Sequence, residues 1–104
     1  MTHEYDIRQT KHNVSTGVIS KITFYILSTE GDYTWKTKKE VLCGGSPSDE
    51  GFIPFASASQ ADIENIIHKY LDKNTLESEN SASLATYIAE GPYEVYSNAL
   101  PPNI

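Results

Sequence analysis

The chain predicts an α+β fold: a three-stranded antiparallel meander, then two helices packed on one face of it, then an extended C-terminal tail. Three observations carry that reading. Apolar residues alternate with a period of two up to residue 43 and recur at helical spacing from residue 60, so strands precede helices. Turn residues at 15–17 and 30–32 sit where neighbouring strands would join as hairpins. A length of 104 residues is enough for one modest core, about what a small sheet with a single helical cover encloses.

The first strand is expected over residues 4–14, where Tyr5, Ile7 and Gln9 alternate with polar neighbours. Ser15, Thr16 and Gly17 then turn the chain, Gly17 supplying positive φ without steric cost. Residues 17–29 give the strongest β signal, dense in β-branched and aromatic side chains. Ile22, Phe24 and Ile26 share one parity; Thr23, Tyr25 and Leu27 share the other, so this strand reads as central or as covered on its second face by a partner. After the Glu30-Gly31-Asp32 turn, a third strand is predicted over 33–43, with Tyr33, Trp35, Val41 and Cys43 inward and Lys36, Lys38 and Glu40 outward. Trp35 reads as the anchor of the core.

Residues 44–51 lack periodicity and form a loop. The apolar run Phe52-Ile53-Pro54-Phe55 follows at the crossover and is expected to wedge between sheet and helix. A first helix is predicted over 60–72, with Ser59 and Asp62 in capping-box spacing and Ile63, Ile66, Ile67, Tyr70 and Leu71 on one face. A second, over 76–90, has Thr75 as its cap, Leu76, Leu84, Tyr87 and Ile88 as its stripe, and Gly91-Pro92 as its stop. Residues 1–92 thus read as one domain and 93–104 as an extended tail.

Charge and composition exclude several classes of function. Net charge is −6, divided between a balance of +1 up to Cys43 and −7 beyond it, which argues against general affinity for nucleic acid. No apolar run approaches the roughly 20 residues of a membrane span, and the first residues lack the pattern of a signal peptide. Cys43 is the sole cysteine, which fits a reducing compartment and a small buried strand residue. His3, His12 and His68 show no metal spacing. His3-Glu4-Tyr5-Asp6 reads as a solvated cluster and His68 as a surface residue. Gly44-Gly45-Ser46-Pro47-Ser48 has Ser where a nucleophile elbow requires its second Gly, and it lacks the Lys-Ser/Thr ending of a phosphate loop. The expectation is no catalytic residue, no metal and no cofactor.

The order of features resembles that of a family of small, uncharacterised proteins of tailed bacteriophages, notably those infecting marine cyanobacteria. The resemblance is carried by TFYILSTEGDYT at 23–34, SPSDEGFIPFASASQADIENII at 46–67 and NALPP at 98–102. Members often carry Trp where Phe24 and Ile66 stand, and an aromatic residue after Leu-Pro where this chain has Pro102. The family has no assigned catalytic residues, so the resemblance implies a phage setting, in the virion or the host cytoplasm, without a mechanism.

These readings converge on a non-enzymatic protein that works through protein–protein contacts. A small virion structural or accessory subunit is the first expectation, and an acidic host-takeover factor that binds a bacterial protein is the alternative. The partner is a phage structural protein, a host protein or a second copy, with neither nucleic acid nor membrane expected. The residues expected to meet it are Tyr25 and Leu27 on the second face of the central strand, with Tyr93, Val95, Tyr96, Leu100 and Ile104 on the apolar tail.

Overall fold

A computed structural model describes residues 1–90 and 103 of the chain. Its strands β1 (Thr2–His12), β2 (Ile19–Glu30) and β3 (Tyr33–Leu42) form one antiparallel sheet in the order β1-β2-β3. A 3₁₀ turn (Phe55–Ser57) precedes two helices, α1 (Gln60–Tyr70) and α2 (Lys73–Glu90). The architecture is the predicted meander followed by two helices, with β2 central. The tail at 93–104, apart from residue 103, lies outside the described residues.

Both helices cover the same sheet face. Ile22, Phe24 and Ile26 of β2 are fully buried there, beside Tyr5 and Val41 of the flanking strands. Ile63 and Ile67 of α1 and Leu76 of α2 close over them. Trp35 points to this side but lies at its margin, half-buried against Tyr87 of α2 at 5.6 Å between ring centroids. The expected anchor is therefore peripheral. Strand β3 is an edge, and Phe24 on the central strand takes the core position.

β1 begins two residues earlier than expected and ends at His12, because Asn13 to Val18 form the turn. Asn13 Oδ1 accepts from the amides of Ser15 and Thr16, a local bond that competes with the ladder and leaves Val14 92% exposed. Within β1 the register slips between Ile7 and Gln9, so Arg8 is an extra residue without a partner across the ladder. The bulge inverts parity. Before it, His3, Tyr5 and Ile7 face the helices; after it, Thr10 does, opposite Ile22.

Gly17 (φ 76°) ties this turn to the crossover. Its carbonyl accepts from the Phe55 amide at 2.9 Å, and a Cβ at this position would lie 3.0 Å from Pro54 Cβ. Phe52 and Ile53 are half-buried and line a cleft with Ile19 and Ile66 without joining the core cluster, whereas Phe55 stays 40% exposed and stacks on His12 at 3.8 Å. The apolar run thus plugs the end of the sheet at the β1–β2 turn more than the gap beneath α1. Gly17→Ala combines positive φ with that close approach and is expected to cost about 1–2 kcal/mol in urea denaturation. A loss below about 0.5 kcal/mol would mean that the turn and Pro54 move apart freely.

The helix starts follow side-chain chemistry. Ser59 Oγ accepts from the Asp62 amide and Asp62 Oδ2 accepts from the Ser59 amide, completing the predicted capping box. α2 starts at Lys73 rather than after Thr75, because Asp72 is its cap. The Asp72 carboxylate accepts from the Thr75 amide (2.9 Å) and the Thr75 hydroxyl (2.8 Å), and these bonds hold its pKa below the usual carboxylate value. Leu71 and Asp72 alone separate the helices.

Candidate interaction surface

The helices occupy one face of the sheet, so the opposite face is built from the other parity of each strand. Tyr25 and Leu27 stand at its middle, both half-buried, with Thr23 buried beside them. The register sets Asp6 and Lys38 on either side of Tyr25, and Glu4 and Lys36 on either side of Leu27. No described helix covers this face. Two of the predicted contact residues are therefore adjacent on one face that no described helix covers. The others, Tyr93, Val95, Tyr96, Leu100 and Ile104, lie outside the described residues.

The Tyr25 ring is held by cations from both neighbouring strands. The Arg8 guanidinium lies 5.6 Å from its centroid on the β1 side, and the Lys36 ammonium 4.2 Å on the β3 side. The bulge at Arg8 brings its side chain over the ring, and Asp6 fixes it there through an ion pair of 3.2 Å. Lys21 and Glu40 pair at 3.5 Å toward the other end of the same face. The outward parity of Lys36, Lys38 and Glu40 was readable from their alternation. The bulge that adds Arg8 was not, since no glycine or proline marks it.

The covered face holds a polar constellation that the sequence reading missed. Asn80 is 3% exposed, in line with Leu76 and Leu84 on the buried side of α2. Its Nδ2 donates to Ser28 Oγ (2.7 Å), the Trp35 carbonyl (3.2 Å) and the Ile26 carbonyl (3.4 Å). Its Oδ1 accepts from the Thr37 hydroxyl at 2.6 Å. Ser28 Oγ, fully buried, also lies 2.7 Å from His3 Nδ1. One amide thus stitches β2 and β3 to α2, and the expected solvated cluster at the N-terminus is split. His3 and Tyr5 face inward while Glu4 and Asp6 face outward.

His68 is likewise drawn inward: its ring meets the Tyr5 ring edge-on at 4.9 Å and its Nδ1 is buried. Burial, followed by the nearby Glu77 and Glu64 carboxylates, pushes the Tyr5 hydroxyl up to about 12, so it stays protonated at ordinary pH. Cys43 is half-buried against the core, and burial raises its thiol pKa, the opposite of what a thiolate nucleophile needs.

Around the loop at 44–51, Tyr70 Oη donates to the Gly44 carbonyl and accepts from its amide, while Asp49 Oδ2 accepts from the Ser46 amide at 2.7 Å. A cleft of about 70 Å³ lies there, and another of about 130 Å³ lies between β3 and α2. Both fall well below the roughly 300–1,000 Å³ of small-molecule sites. Among the described residues, no His, Cys, Asp or Glu side chains gather as three or more potential metal ligands. No described helix is long and apolar enough to cross a membrane.

No curated protein and no solved structure matches the chain. A family model described as a domain of unknown function, DUF7936, matches residues 1–101, and the chain accordingly belongs to the DUF7936 family.

Proposed function

We propose that this protein is a non-enzymatic subunit that works by docking a protein partner on the open face of its sheet, as a small structural or accessory component of a tailed-phage particle. The observation that carries the docking reading is the Tyr25–Leu27 centre on a sheet face that no described helix covers. An antiparallel sheet can leave one face in water, but such a face ordinarily reads polar, and here a ring and a branched aliphatic stand side by side. Cys43, half-buried and with its thiol pKa raised by burial, favours a binding role over thiolate catalysis. The phage setting rests on the sequence resemblance.

Quantitative mass spectrometry of purified particles of the phage carrying this chain, against infected-cell lysate, tests the setting. A fixed copy number in particles is the expected result; presence in lysate alone would overturn it. Leu27→Asp tests the surface: the variant is expected to leave the particle while its stability changes by less than about 1 kcal/mol. Retention of that variant in particles would move the contact elsewhere on the molecule.

One observation favours a second reading, an acidic factor that occupies a basic surface of a bacterial host protein. Residues 60–90 carry six acidic residues against Lys69 and Lys73, so the helical layer is acidic. In that case substitutions on α1 and α2, rather than Leu27→Asp, would abolish binding.

A further inference from the structure

The open face, the side of the sheet that no described helix covers, differs in charge from the other described surfaces of this acidic chain. It carries Arg8, Lys11, Lys21, Lys36 and Lys38 against Glu4, Asp6 and Glu40. Two of the acids are already engaged, Asp6 with Arg8 and Glu40 with Lys21. Lys36 and Lys38 flank Leu27 and Tyr25 and make no ion pair among the described residues. Among the described residues the result is an apolar centre with a net cationic border, five cations against three carboxylates of which Glu4 is unengaged, while the acidic helices lie on the far side of the sheet. At physiological salt, charges beyond about 8 Å are largely screened, so a partner at this face meets its lysines before the net charge of −6.

We infer that the open face takes an acidic surface of another protein, an inference that rests on the docking reading above. Complementary charge around an apolar centre steers encounter and fixes register. Two other occupants fit less well. Single-stranded nucleic acid would need the Tyr25 ring free to stack a base, but Arg8 and Lys36 approach it from both neighbouring strands. A symmetric dimer through this face sets Glu4 and Asp6 of one copy against Lys36 and Lys38 of the other only with its two-fold along the strands. Five cations against three carboxylates on each copy leave such a pairing net cationic.

The test uses the full chain with fluorescent poly-L-glutamate as the acidic probe and a thymidine homo-oligonucleotide as competitor, followed by anisotropy at low and high salt. The expected result is salt-sensitive binding of poly-L-glutamate, weakened about tenfold or more when Lys36→Glu and Lys38→Glu are combined. Lys69→Glu, exposed on α1, should leave it unchanged. Circular dichroism of each variant confirms that the fold persists.

Absent binding, an equal loss with Lys69→Glu, or preference for the oligonucleotide would each overturn the inference. So would a concentration-dependent rise in mass that the paired lysine substitutions abolish, since that assigns the face to a second copy. A particle partner retained by those substitutions but lost with Leu27→Asp would overturn the acidic chemistry and leave the docking reading intact. A partner indifferent to Leu27→Asp would overturn the docking reading itself.

Discussion

Phe24→Ala is expected to destabilise the domain by about 3–5 kcal/mol, a large part of the stability of a chain this size. The ring has no exposed surface and sits on the central strand between Ile22 and Ile26, with Tyr5 at 6.0 Å centroid to centroid. Its removal deletes apolar burial from the one place where β1, β2 and the helices all meet. Neighbours on a hydrogen-bonded strand cannot collapse far into the gap, so the cavity term adds to the transfer term. Urea denaturation with wild type and variant side by side measures it. A loss under about 1.5 kcal/mol would mean that the helices resettle over the cavity. Trp35→Ala should cost clearly less, because that indole is half-exposed at the edge.

The second large effect is expected at Asn80. Asn80→Leu keeps a side chain of similar size and raises helix propensity, yet it should cost about 2–4 kcal/mol. The leucine would take the acceptor from the Thr37 hydroxyl, leave Ser28 Oγ with His3 Nδ1 alone as its side-chain partner, and remove the side-chain donor from the Ile26 and Trp35 carbonyls. Buried polar groups left without partners incur their full desolvation penalty, and a network loses more than one bond when its hub goes. Ser28→Ala in the Asn80→Leu background separates the terms. If the hydroxyl is what suffers, the second substitution recovers part of the loss. A neutral Asn80→Leu would show that the cluster contributes nothing net.

The same two residues explain what the sequence disclosed. Phe24 was legible because alternation along β2 follows from strand geometry alone, and the sheet order and both hairpins followed from that pattern with the turn residues. Asn80 was illegible because its type signals loss of helix propensity, and only the partners across the sheet make its position a buried one. Leu76, Asn80 and Leu84 do recur every four residues, so the spacing held the information that the residue type concealed. The shared parity of Tyr25 and Leu27, opposite to that of Phe24, was legible from the same alternation. Arg8 was missed because a bulge depends on how two strands fit together, a property of the pair that neither segment carries alone.

The bulge in β1 also makes the two outer borders of the sheet unequal as templates for growth. β1 carries the surplus residue Arg8, so its outward amides and carbonyls do not form an even row, whereas at the second shift, beside His12, the surplus residue is Ser20 of β2. β3 pairs without a slip from Tyr33 to Leu42 and presents a regular row along its outer side. An incoming strand of any origin would find a continuous rail on one border and a broken one on the other. Extension of this sheet therefore has a direction, built into a single surplus arginine.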